Sequence, residues 1–387
     1  MGDSRKNLFA EGRKINVLCV IPTLGQGGAQ KILVDFAHKL AHRESSSKIQ
    51  SVSLLTFKEN NENFYQPDQS ISLYSTSTVR GDSVSFSSMP ISACKMRRQL
   101  KAIAPDVILS FQDISNVVSI LGTFGLRQIK LVVSERQDTR FYSYTFFRKI
   151  LRYFLYNFSD VIVVQTSAIA DQFPTFLKKK IVIVPNHIAA HSHHSKPDVA
   201  DQGKFFRAIA VGRLADQKHF DLLIESALHL EKFHDSWKID IYGSGSLMKL
   251  HQQKIEKYNL QNFIFIHKPT KDIIGKMASS HLFLFPSRYE GFPNALAEAI
   301  SCGLPSIAFE EVSGCAELIR HKHNGLLLKE SDRNPIAFAK SMDYMMSEPK
   351  LRKLYGLNCL EILPKYDEEV LLNQWMKLLI ENELQAS

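Results

Sequence analysis

The sequence predicts an α/β protein made of two doubly wound domains with parallel sheets. Its 387 residues exceed what one hydrophobic core usually supports, so we expect two domains of roughly 180 residues each. Short apolar segments of strand length alternate with helical patterns along the whole chain. Several of these segments run directly into glycine-containing loops, as strands do in open parallel sheets.

The composition is that of an ordinary globular protein, with 44% hydrophobic and 22% charged residues. No run reaches the 18 or so apolar residues that a spanning helix needs, and the N-terminus lacks an apolar signal core, so we expect a cytoplasmic protein. The formal net charge of +9 favours anionic partners. These are nucleotide diphosphates, anionic lipid or nucleic acid, and nucleic acid is least favoured because no recognition motif accompanies the charge.

The five cysteines are scattered without CxxC or Cys/His ligand spacing: Cys19, Cys94, Cys302, Cys315 and Cys359. This pattern argues against a disulfide framework and against a zinc site. We expect buried or half-buried thiols.

The first domain is expected over residues 14–186. Residues 15–21 predict a buried strand, and a loop with Gly27 and Gly28 leads into a helix. A dinucleotide-binding loop would have a third glycine where this chain has Gln30, and an acid at the end of the second strand, where residues 54–57 have none. The dehydrogenase interpretation is therefore rejected. The glycine loop either faces a ligand or is an ordinary turn.

Further strands of this domain are predicted at residues 52–57, 107–110, 130–133, 161–165 and 182–186. Residues 187–203 predict an interdomain linker. Because this stretch contains His191, His193 and His194, metal binding is the less favoured alternative.

Residues 140–158 mix aromatic and basic side chains with no acid. Helical spacing predicts a buried stripe of Phe147, Ile150, Leu151 and Phe154, with Arg148, Lys149 and Arg152 off it. The segment is either an interfacial helix that attracts anionic headgroups or a core helix with a basic outer face.

The second domain is expected over residues 204–362, and residues 363–387 are expected to form a terminal helix that crosses back to the first domain. A buried strand at 205–211 runs into a loop that carries Arg213 and Lys218. Two fixed cations there could neutralise a diphosphate. Another strand ends at Gly243 in a Gly-Ser-Gly loop, which is a weak signal by itself.

An apolar strand at 281–285 precedes the most informative stretch of the chain. Gly291 allows close approach of a ligand, and Asn294 is expected to cap a helix that begins near Ala295. Glu290 lies before that helix and Glu298 one turn inside it, so both carboxylates can face one ligand near a helix N-terminus that suits an anion. The alternative is a pair of solvated carboxylates.

This stretch, Glu-Gly-Phe-Pro-Asn with Glu298 and a following Cys-Gly-Leu-Pro, resembles the Glu-x7-Glu signature of retaining nucleotide-sugar glycosyltransferases. These enzymes have the GT-B architecture of two Rossmann-like domains facing across a cleft, and the resemblance is to family 4 in particular. It covers nearly the whole chain and is stronger after residue 210.

The resemblance implies roles for individual residues. Arg213 and Lys218 would bind the diphosphate, Glu290 sugar hydroxyls and Glu298 ribose hydroxyls. The residues near the sugar and phosphates would be Gly291, Phe292, Pro293, Asn294 and Ala295, with Gly243 in the nucleotide loop and Gly27 and Gly28 facing the donor phosphates. His219 stands where many relatives have glycine.

Ser134, Glu135 and Arg136 resemble a segment of capsule and lipid-linked oligosaccharide transferases, and they follow a strand where ligand-facing loops belong. A structural salt bridge is nearly as well supported.

The implied function is transfer of a hexose or N-acetylhexosamine, with retention, from a nucleotide sugar, with UDP favoured. The acceptor would be a saccharide or a polyprenyl-diphosphate-linked saccharide, and the protein would work peripherally at the inner face of the membrane. No divalent metal is expected, because the cations are protein-borne and no Asp-x-Asp stands in a suitable loop. The alternatives are a nucleotide-sugar epimerase of similar shape and a non-catalytic nucleotide-sugar binding protein.

Overall fold

The structure is a computed structural model. It describes residues 13–25, 27–42, 48–58, 64–79, 88–126, 128–141, 146–192, 194–200 and 205–381. The described residues form two compact units. The first comprises the described residues up to 186 and those from 371 to 381, and the second comprises the described residues between 187 and 370. His193 lies outside the described residues.

The first unit contains a seven-stranded parallel sheet. Its strands are β1 (Ile15–Val20), β2 (Ile49–Lys58), β3 (Ile71–Val79), β4 (Val107–Phe111), β5 (Lys130–Ser134), β6 (Val161–Val164) and β7 (Ile181–Ile183). Their order is β3-β2-β1-β4-β5-β6-β7, so the direction of winding reverses between β1 and β4. Successive residues of β1 pack on opposite faces of the sheet. Val17 and Cys19 belong to the core on one face, and Leu18 and Val20 belong to the core on the other. Both faces are therefore covered, as in other parallel sheets.

The helices of this unit are α1 (Gly28–His42), α2 (Met89–Ile103), α3 (Asp113–Thr123), α4 (Phe146–Tyr156) and the short α5 (Ser167–Ala170). The last helix of the described chain, which begins at residue 368, also packs here. Its Trp375 ring lies 5.5 Å from the ring of Phe36 and 5.9 Å from that of Phe111. Residues 371–381 thus complete the hydrophobic core of the first unit.

The second unit repeats the pattern with a six-stranded parallel sheet. Its strands are β8 (Phe206–Val211), β9 (Trp237–Tyr242), β10 (Ile264–His267), β11 (Leu282–Leu284), β12 (Ser306–Phe309) and β13 (Gly325–Leu328). The order is β10-β9-β8-β11-β12-β13, with the reversal between β8 and β11. The predicted fold class, α/β with two doubly wound domains, is confirmed.

The helices that follow are α6 (Phe220–Ser226), α7 (Met248–Lys257), α8 (Ile273–Ala278), α9 (Asn294–Ser301), α10 (Cys315–Leu318), α11 (Pro335–Ser347), α12 (Pro349–Cys359) and α13 (Glu368–Ile380). None of the helices in the described part of the chain is long and apolar enough to cross a membrane.

The segment predicted as a linker packs on the second unit in its described part. Ile188 is 5% exposed and belongs to that core. Ser195 N donates to the carbonyl of Cys302 (2.7 Å), and the guanidinium of Arg352 donates to the carbonyl of Pro197 (2.7 Å). The described residues of this stretch, 187–192 and 194–200, are therefore part of the second unit.

Two further expectations differ from the structure. Cys94 is exposed, whereas the other four cysteines are buried as expected, and all five thiols are free. Three of the four residues of the stripe predicted to be buried in α4, Phe147, Ile150 and Phe154, are 73%, 50% and 57% exposed. Leu151 is half-buried, and Arg152, which was expected off the stripe, is 3% exposed. The predicted buried stripe is therefore wrong, because the helix buries its Arg152 face.

Candidate functional site

The two sequence-predicted loops of the second unit start from neighbouring strands. β8 pairs in parallel with β11, with Leu282 opposite Ala208. Their carboxyl ends therefore meet at one edge of the sheet, at the point where the strand order reverses. In open α/β sheets this is where ligands bind. The loop after β8 carries Lys218, and the loop after β11 carries Glu290.

The loop after β8 is fixed by the loop after β9. Leu214 N donates to the carbonyl of Ser244 (2.9 Å), and Leu247 N donates to the carbonyl of Leu214 (3.0 Å). A side chain at Gly243 would place its Cβ 1.9 Å from the carbonyl oxygen of Gly212. Gly243 is therefore required for the close approach of two backbones.

Lys218 and Glu290 form an ion pair in which Nζ lies 2.6 Å from Oε1. The side chains are 15% and 11% exposed. Gln217 Nε2 donates to the other carboxylate oxygen, Oε2 (3.2 Å), and to the carbonyl of Tyr289 (2.9 Å). Its amide oxygen accepts from the exposed Arg213 (3.3 Å). The structure thus gathers the three predicted catalytic residues around Gln217.

Sequence reasoning missed Gln217. The only available signal is its position next to Lys218 on a loop that already carried two candidate residues. Its amide can donate and accept at once, which suits a residue between a carboxylate and a guanidinium.

Next to Lys218, His219 adopts a left-handed backbone conformation with φ 50°. Burial, with Arg288 and Arg333 nearby, lowers the pKa of His219 to about 4. The imidazole is therefore neutral at pH 7, and the positive charges of this loop are those of Arg213 and Lys218.

Helix α9 begins directly after this site. Its first residue is Asn294, and the preceding Pro293 is the N-cap residue without a side-chain cap. The expectation that Asn294 caps the helix is therefore wrong, because the helix starts one residue earlier. Phe292 is 4% exposed, and its ring lies 6.2 Å from that of Tyr366. Phe292 is thus a core residue that holds the loop, and its predicted ligand contact would be through its backbone.

Around the same helix start, Gly291 and Ala295 are half-buried and Pro293 is buried. Glu298 lies one turn inside α9 and is half-buried. Glu290, Gly291 and the first turn of α9 follow one another in the sequence. The residues that we predict to contact the ligand are therefore adjacent along the chain.

Arg333 anchors the loop that leads to Glu290. Its Nη1 donates to the carbonyls of Pro286 (3.0 Å) and Ser287 (2.9 Å). Its guanidinium lies 3.9 Å from the centre of the Phe309 ring, and the side chain is 6% exposed. Sequence reasoning missed Arg333, because nothing in its own segment relates it to a loop more than 40 residues away.

In the first unit, Glu135 is fully buried. It accepts from Arg152 Nη1 (2.9 Å) and from the hydroxyl of Tyr156 (3.1 Å). Glu135 therefore forms a structural salt bridge, which was the alternative interpretation of the Ser134–Arg136 segment. Arg136 lies 3.8 Å from the centre of the Phe111 ring and is 7% exposed. Burial lowers the pKa of Arg136 to about 9 despite the opposing effect of Glu135.

Gly28 is the first residue of α1 and Gly27 precedes it, after the strand at the switch point of the first sheet. The carbonyl of Gly27 accepts from Lys31 N (3.1 Å). A Cβ at Gly27 would meet only the flexible end of Gln30, 2.4 Å away. At the end of the neighbouring β4, Gln112 has φ 76° and ψ 148°. This region is almost reserved for glycine, and such strain concentrates at functional sites.

The described residues contain no group of three or more His, Cys, Asp or Glu side chains that could hold a metal ion.

The chain is similar to known glycosyltransferases in sequence and in fold. The profile described as "Glycosyl transferases group 1" matches residues 194–358. A Campylobacter jejuni protein is 25% identical over 94% of this chain and 97% of its own length. It is named GalNAc-alpha-(1->4)-GalNAc-alpha-(1->3)-diNAcBac-PP-undecaprenol alpha-1,4-N-acetyl-D-galactosaminyltransferase. The amylovoran biosynthesis glycosyltransferase AmsD of Erwinia amylovora is 30% identical over 59% of this chain and 64% of its own.

Solved structures show the same fold. The apo form of the lipopolysaccharide outer core galactosyltransferase WaaB matches with a TM-score of 0.72 and 16% identity, covering 95% of this chain and 99% of its own. Anabaena Alr3699/HepE in complex with UDP and glucose matches with a TM-score of 0.71 and 17% identity, covering 94% and 98%.

Fold and relatives together define a glycosyltransferase with the GT-B fold. The segment that matches the glycosyl transferases group 1, residues 194–358, carries Arg213, Lys218, Glu290 and Glu298.

Proposed function

We propose that this protein transfers a hexose or N-acetylhexosamine, with retention at the anomeric carbon, from a UDP-sugar to a saccharide or lipid-linked saccharide in the assembly of a surface polysaccharide or glycan. The contact between Lys218 and Glu290 carries the proposal, because it joins a cation and a carboxylate from two loops at the switch point of the sheet. The Campylobacter relative, whose name contains PP-undecaprenol, supports a lipid-linked acceptor. UDP in the HepE structure supports the donor.

The chemical difficulty is the departure of the diphosphate. As its bond to the anomeric carbon breaks, positive charge builds on the sugar and negative charge on the leaving phosphate. Lys218 supplies a point charge and Arg213 a planar fork for that anion. The first turn of α9 adds backbone N–H groups and the positive end of the helix dipole. These groups can stabilise the leaving group without a divalent metal.

Glu290 has a role that follows from its present partners. An arriving diphosphate competes for Lys218 and thereby frees Oε1 of Glu290 to accept from a sugar hydroxyl. Glu298 accepts from ribose hydroxyls. The acceptor oxygen then bonds to the anomeric carbon on the face from which the phosphate leaves, and the acceptor proton passes to a phosphate oxygen.

Two measurements on the purified protein test this function. UDP-, GDP- and ADP-sugars are screened for thermal stabilisation, since a ligand that binds the folded form raises its midpoint. The best donor is then incubated with lipid extract, with and without EDTA. Transfer that persists in EDTA is expected. An epimer formed from donor alone, or binding without turnover on a broad acceptor panel, would instead support the epimerase or the binding protein.

Variants test the residues. Lys218→Ala and Glu290→Ala are each expected to lower turnover by about a hundredfold or more, the effect of losing one preorganised charge contact. Lys254→Ala is the matched control. Lys254 belongs to the same unit and forms ion pairs with Asp221 (2.6 Å) and Glu225 (2.9 Å). Its replacement should leave turnover near that of the wild type. Wild-type rates in Lys218→Ala or Glu290→Ala would remove that residue from the mechanism.

A further inference from the structure

Helix α4 is turned with its three phenylalanines and Ile150 toward water. Its exposed apolar side chains are Phe146 (80%), Phe147 (73%), Ile150 (50%) and Phe154 (57%). Its buried residues are Arg152, Tyr153 and Tyr156. A helix on the surface of a water-soluble domain normally shows the reverse arrangement.

The orientation of α4 is held by hydrogen bonds on its inner side. Arg152 Nη1 lies 2.9 Å from Glu135 and 3.6 Å from Asp113. The hydroxyl of Tyr156 donates to Glu135 (3.1 Å) and accepts from Asn116 (3.0 Å). Rolling the helix to bury its phenylalanines would break these contacts and leave two carboxylates without their cation. The outward position of the apolar side chains is thus built into the fold.

The apolar surface continues beyond the helix. The ring of Phe158 lies 5.4 Å from that of Phe154 and 5.4 Å from that of Phe124, which follows α3. Phe158 is 45% exposed and Phe124 is 60% exposed. We call the surface formed by Phe124, Phe146, Phe147, Ile150, Phe154 and Phe158 the aromatic face. Contiguous apolar surface of this kind usually marks an interaction site.

Basic side chains surround the aromatic face. Arg148 and Lys149 are exposed on α4 itself. Lys180 Nζ donates to the carbonyls of Asn157 (2.6 Å) and Ser159 (2.9 Å) at the end of the helix. Arg97 donates to the carbonyl of Phe124 (2.8 Å). The chain contains no acidic residue between positions 139 and 159.

We propose that the aromatic face is the surface by which this protein docks on a bilayer that contains anionic lipid. The inference rests on the proposed function, in which the acceptor is carried by a lipid. Aromatic side chains insert at the boundary between headgroups and acyl chains, and the surrounding Arg and Lys side chains contact lipid phosphates. This charge complementarity favours an anionic membrane over a second copy of the chain, whose identical basic residues would repel.

The test is co-sedimentation with vesicles in the absence of donor and acceptor. Vesicles of phosphatidylcholine with 30% phosphatidylglycerol (about a third anionic lipid) are compared with pure phosphatidylcholine, at low and high salt. We expect binding to the anionic vesicles that weakens with salt. Phe147→Ser/Phe154→Ser should reduce the binding constant about tenfold or more, because two largely exposed aromatic rings are lost. Arg148→Gln/Lys149→Gln should reduce it about fivefold per charge.

The matched control is Leu354→Ser/Leu357→Ser. These residues of α12 are also exposed, 52% and 62%, and lie in a basic stretch of the second unit. This variant should bind vesicles as the wild type does. A Phe147→Trp variant gives independent information, because brominated acyl chains quench its added indole only if the helix enters the bilayer.

Three results would overturn the proposal: no binding to anionic vesicles, unchanged binding of Phe147→Ser/Phe154→Ser, or a wild-type dimer that this variant dissociates. Circular dichroism and the thermal midpoint show that the variant is folded. Stabilisation by UDP-sugar is measured separately on the same samples. A protein that responds to donor without binding vesicles refutes the docking surface alone, whereas vesicle binding without any donor response refutes the proposed function.

Discussion

Replacing Lys218 by methionine should destabilise the second unit more than replacing both members of its ion pair. Nζ of Lys218 and Oε1 of Glu290 lie 2.6 Å apart, in side chains that are 15% and 11% exposed. In Lys218→Met, the carboxylate of Glu290 keeps its hydrogen bond from Gln217 but loses its cation. Removing one partner of a buried pair costs about 3–5 kcal/mol of unfolding free energy. We expect the lower end, about 3 kcal/mol, because the Gln217 amide remains and both groups keep some access to water.

The double variant Lys218→Met/Glu290→Gln removes the charges altogether. Neutral groups of similar volume replace buried ion pairs at little cost, so we expect a loss within about 1 kcal/mol. The double-mutant cycle then gives a coupling energy of about 2 kcal/mol or more. Urea unfolding in a Trp375→Phe background measures these differences. Trp237, which is 1% exposed in the core of the second unit, is then the only tryptophan of the chain.

The matched control is Lys254→Met, which breaks the pairs of a 26% exposed lysine with Asp221 and Glu225, whose side chains are 26% and 36% exposed. A more exposed pair contributes less, and we expect a loss of less than about 1 kcal/mol. The reasoning is refuted if Lys218→Met costs less than about 0.5 kcal/mol, the value of a surface pair. It is also refuted if the double variant loses as much as Lys218→Met, since the two charges would then be uncoupled.

Three shorter predictions address residues near the two switch points. Because the pKa of His219 lies near 4 in the folded state and at 6.5 ordinarily, the unfolded state binds more protons between these values and stability falls as pH drops from 6.5 to 4. His219→Asn should lessen the fall in thermal midpoint between pH 7 and pH 5, whereas the exposed control His229→Asn should not. Equal falls in the two variants would show that the low pKa of His219 is not the cause. Gln112→Gly should raise the free energy of unfolding of the first unit by about 1 kcal/mol in urea titrations, because glycine adopts this backbone conformation without strain. Gln112→Ala, which keeps the strain, should not raise it. Equal effects of the two variants would exclude backbone strain as the cause. Arg333→Met should lower the kcat of sugar transfer about tenfold or more by loosening the loop before Glu290, with donor stabilisation retained; an unchanged kcat would show that this anchor is dispensable.

Part of the site could be predicted because parallel sheets obey simple geometry. The apolar strand segments before Arg213 and before Glu290 identified two loops, and loops that follow neighbouring parallel strands emerge at one edge. The contact between Lys218 and Glu290 follows from that rule. The roles of Gln217 and Arg333 do not follow, because they depend on which side-chain atoms reach across from other loops.

Strands β3 and β13 are not among the strands that the sequence predicts, and each has a physical reason. β3, residues Ile71–Val79, is rich in Ser and Thr and lies at the edge of the first sheet. Apolar runs are the signal of strands buried on both faces, so an edge strand with a polar composition escapes that criterion. β13, Gly325–Leu328, is apolar but only four residues long, which is too short for periodicity to separate it from a turn.

The orientation of α4 shows why hydrophobic periodicity alone could not assign its buried face. The same sequence offers a stripe of Phe147, Ile150 and Phe154 and an opposite stripe that contains Arg152. At the ends of β4 and β5 the fold places Asp113 and Glu135, which are 6% and 0% exposed. Two buried carboxylates without a cation would cost more than the exposure of several aromatic rings. Arg152 therefore faces inward, and the phenylalanines are left at the surface, where the proposed contact with an anionic bilayer would bury them.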